Sequence, residues 1–103
     1  MFTFSKNTTG GYLNIYLKGD LDIEGTEVME REITPEMEKY SVVNMDFTEV
    51  PFIDSSGMGL LLNLVHTLNK KGTTVYIVNV KKDVMEVFEL LQIPDILGEG
   101  VFV

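Results

Sequence analysis

Three hydrogen-bonding side chains stand together at Asp54, Ser55 and Ser56, where the apolar stretch 50–53 gives way to Gly57 and a leucine-rich run. Such a group can cap a helix, attack a substrate or carry a phosphate. Attack needs a base within hydrogen-bond reach. The single histidine, His66, lies ten residues beyond Ser56, about 15 Å along a helix. A nucleophile elbow also needs glycines two residues either side of its serine, and Ile53 and Asp54 occupy the upstream positions. A serine hydrolase is therefore disfavoured. Gly57 and Gly59 are followed by leucines, with neither the lysine of a phosphate-binding loop nor the third glycine of a dinucleotide fingerprint, so no nucleotide cofactor is expected.

A second constellation places Asp20, Asp22 and Glu24 at alternate positions before Gly25, as the front of a calcium-binding loop does. The twelfth position, where a bidentate glutamate belongs, is Arg31. The segment is read as an acidic strand-to-helix loop, and no metal is expected.

Composition bounds the rest. With 103 residues there is room for one domain, residues 1–103, and 45% hydrophobic content is enough for a core. Sixteen acidic against eight basic residues give a net charge of −8, which repels phosphate backbones and anionic lipid, so neither direct nucleic-acid binding nor membrane binding is expected. The absence of cysteine and of a secretory or membrane-spanning pattern leads to a cytoplasmic expectation. The six methionines are read mainly as core residues, with Met58 exposed at the helix entrance.

The elements that position these residues follow from periodicity. Leu13, Ile15 and Leu17 alternate with polar neighbours as in a strand, and residues 2–5 fold back on it through a loop at 6–11, which ends in Gly10 and Gly11, as an antiparallel hairpin. Met29, Ile33, Met37 and Tyr40 trace a helical face interrupted at Pro35, with Thr34 expected to cap a second short turn. Val43, Met45 and Phe47 mark a strand, and Met58, Leu61, Leu62, Val65 and Leu68 the stripe of the next helix, which Gly72 stops. A strand follows at 73–80, then a helix with Val84, Val87, Phe88 and Leu91 inward and Pro94 as its stop. Residues 100–103 form a short last strand. This alternation predicts the α/β class, a mixed and mostly parallel sheet with an antiparallel N-terminal edge hairpin and helical crossovers.

One cap needs one side chain, and Asp54, Ser55 and Ser56 can all serve, with a serine taken as the plain structural candidate. The surplus leaves a hydroxyl free at the carboxyl end of a strand, where α/β proteins meet their ligands and a helix N-terminus tolerates an anion.

In order and spacing, "GDLD", "VVNMDFTEVPFIDSSGMGLLLNL" and "GTTVYIVNVKKDVMEVFELLQIPDIL" resemble a STAS domain, specifically a bacterial anti-sigma factor antagonist, across essentially the whole chain. The resemblance implies a non-enzymatic protein whose unphosphorylated form binds an anti-sigma factor, itself a serine kinase, and so releases the sigma factor. Phosphorylation at Ser55 would switch binding off, and a PP2C-type phosphatase would reset it. It further implies that Asp22 approaches the serine loop and that Asp20, Asp22, Asp54, Ser55, Ser56, Gly57 and Met58 form the partner surface. A different STAS role, as a subunit of a larger signalling assembly or a lipid-transport complex, stands as the rival. The family commonly carries a helix after the last strand, which this sequence does not reach, and Gln92 stands where a glycine is frequent.

Overall fold

The computed structural model describes residues 2–98 and 100–103. Strands β1 (Thr3–Thr9) and β2 (Tyr12–Lys18) form the expected hairpin, but pairing continues through Thr9 opposite Tyr12, so the connection is the two residues Gly10 and Gly11 and not the whole of 6–11. Both glycines have positive φ, 57° and 87°, as a two-residue hairpin loop with the right twist requires. β2 pairs in parallel with β3 (Val42–Glu49), and β3 with β4 (Thr74–Val78), giving the order β1-β2-β3-β4. Parallel neighbours demand crossovers. The first is α1 (Ile23–Val28), a π-helical turn (Met29–Ile33) and α2 (Thr34–Met37); the second is α3 (Ser55–Lys70). Helices α4 (Lys82–Leu90) and α5 (Ile93–Leu97) follow β4.

The inward residues Leu13, Ile15 and Leu17 of β2, Val43, Met45 and Phe47 of β3, and Val75 and Ile77 of β4 are buried with Met29, Ile33, Met37, Leu61, Leu68 and Phe88. None of the alternate residues on the opposite sheet face is buried. The helices thus cover one face, in two layers.

Local chemistry explains where the sequence expectations shift. The first helix starts at Ile23, earlier than the apolar pattern suggested, because Asp22 caps it. Pro35 has no N–H to donate back along the helix. The Thr34 amide and hydroxyl both reach the Met29 carbonyl, the hydroxyl at 2.9 Å, which widens one turn into a π-bulge. Thr34 is therefore a donor in that turn and not its cap. On α3, Leu64 takes the buried place expected of Leu62. On α4 only Val84 and Phe88 are buried, while Val87 and Leu91 face solvent because no element covers that side. Pro94 does not stop α4 but opens α5, and the chain turns at Gln92, whose φ of 59° lies in the left-handed region.

Residues 100–103 make a bridge and not a full strand. Phe102 pairs in parallel with Ile77, through Ile77 N–H to Val101 O (2.7 Å) and Val103 N–H to Ile77 O (3.1 Å). The Phe102 ring packs 5.2 Å from Phe88, which in turn meets Phe47 edge-on at 6.4 Å.

Asp46 shows how a strand end is held. Partial burial pushes its carboxyl up, but hydrogen bonds from the Thr48 hydroxyl, the Thr48 amide and the Asn79 side chain outweigh this and hold it below the usual aspartate value of 3.8. A depressed folded value means stability that is complete above the unfolded value and lost as pH falls through the folded one. Asp46→Asn should therefore flatten the loss of stability seen below about pH 4 in urea titrations, and an unchanged acid limb would contradict this. Gln92→Gly should stabilise the chain by about 0.5–1 kcal/mol, since glycine occupies the left-handed region without steric cost; unchanged or lower stability in urea would refute the strain at this turn.

Candidate functional site

The site is built from two loops that leave the carboxyl ends of β2 and β3 side by side. Past a register shift at Tyr16/Lys18 the two chains go on pairing in parallel. Gly19 N–H donates to Glu49 O (3.0 Å), Leu21 N–H to Phe52 O (2.9 Å) and Asp54 N–H to Leu21 O (3.3 Å), with Leu21 and Ile53 as bridge partners. Each loop then enters a helix in the same way. Asp22 accepts from the Gly25 amide at 3.1 Å, and Asp54 from the Gly57 amide at 3.0 Å. The segments "LDIEG" and "IDSSG" are thus one design used twice: an inward apolar residue, an aspartate cap and a glycine three residues on.

The glycines permit the close approach. A Cβ on Gly57 would run into the Leu21 carbonyl oxygen and lie 2.8 Å from Ile53 Cγ1; one on Gly25 would lie 2.9 Å from the Asp20 carbonyl oxygen. α1 and α3 therefore start shoulder to shoulder, with the loops that carry Asp22 and Asp54 paired through Leu21 and Ile53.

Neither serine is the cap. Because Asp54 holds that role, Ser55 and Ser56 stand exposed at the first two helical positions, and neither hydroxyl makes a hydrogen bond among the described residues. The first helical bond runs from Met58 N–H to Asp54 O at 2.9 Å, so the Ser55 and Ser56 amides lie ahead of the ladder, where a helix end attracts negative charge.

Around them Asp20 and Glu24 are exposed, and Asp22 and Asp54 half-buried. Gly57 is buried and offers no side chain to a partner. Met58, expected at the surface, is buried at 5% exposure, because its place on α3 turns it toward the core beside Leu61. Two apolar residues unremarked in the sequence complete the surface: Phe52 is 51% exposed and Ile23 65%. The signal for Ile23 was the repeat itself, since it occupies the place in "LDIEG" that Ser55 holds in "IDSSG". Among the described residues no cluster of His, Asp or Glu could hold a metal, and no helix is long and apolar enough to cross a membrane.

The STAS domain pattern matches residues 3–102. The chain belongs to the STAS domain family. Among STAS proteins it is similar to the anti-sigma-B factor antagonist of Staphylococcus epidermidis, at 23% identity over 91 residues, 87% of this chain and 84% of that protein. Its fold resembles the anti-sigma factor antagonist SpoIIAA in its unphosphorylated form, with a TM-score of 0.76 and 22% identity over 98% of this chain and 86% of the other. The phosphorylated form of SpoIIAA, a Bacillus cell fate determinant, gives 0.71 and 21% over 98% and 89%. A sulfate transporter family protein from Wolinella succinogenes gives 0.80 and 19% over 94% and 80%. The STAS fold thus serves proteins of unlike function, and the loop chemistry has to carry the functional argument.

The two glycines of α3 separate the constraint at the STAS loop from helix propensity. Gly59 meets nothing within 4 Å of an added Cβ. Gly59→Ala should stabilise by about 0.5–1 kcal/mol, whereas Gly57→Ala should destabilise by about 2–4 kcal/mol. Equal effects of the two changes in urea denaturation would show that the loops do not need this contact.

Proposed function

We propose that this STAS domain is an anti-sigma factor antagonist: its unphosphorylated form binds an anti-sigma factor and thereby frees a sigma factor, and phosphorylation of Ser55 switches that binding off. The carrying observation is the division of labour at the start of α3, where Asp54 does the capping and leaves the exposed Ser55 hydroxyl with no structural duty. The names of its relatives are consistent with this reading. The domain acts in the cytoplasm by binding and not by catalysis. The anti-sigma factor, acting as a serine kinase, supplies the nucleotide, and a PP2C-type phosphatase resets the switch.

The physics of the site favours a surface switch over a refolding switch. A phosphate adds about −1.5 to −2 charges, and at the first helical position it meets unpaired amides and the positive end of the helix dipole. The fold tolerates it. A docking partner does not, because Asp20, Asp22, Glu24 and Asp54 already make the surface acidic, and a further dianion there must be desolvated or matched. A loss of about 3–4 kcal/mol weakens binding by a factor of several hundred. Exposed Phe52 and Ile23 beside this charged rim give the unphosphorylated surface an apolar centre.

A second reading, a STAS subunit of a larger signalling assembly or of a transport complex, draws on the shared fold of the Wolinella protein. Incubation with an anti-sigma kinase and ATP separates the two: the switch requires one phosphate, located at Ser55 by mass spectrometry, and no transfer favours the other assembly. Ser55→Ala should keep its anti-sigma partner and Ser55→Asp lose it by about a hundredfold or more, both with native circular dichroism. An unfolded aspartate variant, or one that binds as tightly as alanine, overturns the mechanism.

A further inference from the structure

We infer that the outer edge of β1 is a self-association surface, on which a second copy of this chain pairs its own β1 in antiparallel fashion. β1 is an edge of the sheet, and its register with β2 runs without a shift from Thr3 to Thr9. The opposite edge is partly closed, since β4 receives residues 101–103 at Ile77. The Gly10–Gly11 loop makes Thr9 and Tyr12 the closing hydrogen-bonded pair, so alternation turns the N–H and C=O of Phe4, Lys6 and Thr8 away from β2. Natural edges are guarded by proline, bulges or projecting charge. β1 has no proline and no bulge, and its one charge, Lys6, is drawn down to the helical layer, where Nζ lies 2.8 Å from Glu36.

Charge distribution selects a second copy as the occupant. The chain carries −8, so two copies repel over most of their surface. Residues 1–19 hold two lysines and no carboxylate, and all 16 acidic residues lie from Asp20 onward. The hairpin is one of two acid-free stretches, the other being residues 55–82, and among the described residues it is the one that offers an uncovered strand edge on which two copies can meet.

Side-chain parity then narrows the register. Opposed residues of an antiparallel pair must face the same way, so a two-fold axis falls on a residue of β1. An axis at Lys6 sets two ammonium groups directly opposite, which is unfavourable. An axis at Asn7 sets Lys6 opposite Thr8 of the second copy, both with outward backbone groups. It also extends the side-chain row in which Asn14 Nδ2 donates to Asn7 Oδ1 (2.9 Å) and Asn44 Nδ2 to Asn14 Oδ1 (3.0 Å). A seven-residue edge covers far less than the ~1,200 Å² of a standard interface, so the association is weak, with a dissociation constant of roughly 0.1–1 mM. Because β1 lies two strands away from β3, both Ser55 sites stay open in the pair.

The test uses the purified chain alone, by sedimentation velocity and amide hydrogen exchange across that concentration range. The Lys6 and Thr8 amides should gain protection as concentration rises, while those of Ser5 and Asn7, already bonded to β2, should not change. Asn7→Asp keeps the oxygen that accepts from Asn14 but sets two carboxylates across the axis, and should weaken association about tenfold or more. Asn7→Lys should do likewise, and an equimolar mixture of the two variants should restore it. A chain that stays monomeric with freely exchanging Lys6 and Thr8 amides overturns the proposal. So does a dimer that survives in each Asn7 variant alone, which would lie on another face, and so does capture of only a foreign extended peptide at this edge.

Discussion

Two parallel chain segments that keep their backbone bonds after the sheet has ended form the constraint on which the site depends. Leu21 donates to Phe52 and accepts from Asp54, so the loops after β2 and β3 are stitched together up to the residue at which each becomes a helix. That pairing leaves no room for a side chain at Gly57 and little at Gly25. It also leaves each aspartate pointing back at the amide of its own glycine. Glycine and aspartate thus work as a pair: the first lets the helix start come close, and the second satisfies the amide that the approach would otherwise leave unbonded.

From this scaffold the freedom of the serines follows. A helix end with its cap already supplied has no use for further hydroxyls, and residues at its first positions project outward from unpaired amides. The same geometry that makes Ser55 accessible makes added charge tolerable to the fold, since the helix dipole and the open amides lie within the first turn. The acidic residues of the neighbouring loop act in the opposite sense on anything that docks. Under the proposed switch, phosphorylation of Ser55 would therefore leave stability intact and oppose recognition.

Much of this was legible in the residues. The alternation of Leu13, Ile15 and Leu17 and of Val43, Met45 and Phe47 has period two and survives in the structure, because each strand buries one face and leaves the other uncovered. The long helix was equally clear, with one substitution of Leu64 for Leu62 on a stripe that drifts by a fraction of a turn. Expectations failed where an apolar residue had no neighbour to cover it, as at Val87 and Leu91, or where one was drawn inside, as at Met58. They also failed where a backbone detail outweighed local preference. Pro35 opened a short helix as expected, but Thr34 donates into a π-widened turn and does not cap it, and Pro94 opens α5 where a helix stop was expected.

The sequence by itself determined the element order as far as α4, the α/β class and the presence of a cap-competent cluster in front of a leucine-rich helix, because periodicity and turn chemistry are local properties carried by neighbouring residues. It could not decide which of Asp54, Ser55 and Ser56 would do the capping, since all three offer an acceptor of suitable reach. Tertiary structure decided that. The bond from the Asp54 amide to Leu21, more than thirty residues away in the chain, sets the backbone at Asp54 so that its carboxylate, and not a serine hydroxyl, meets the first turn.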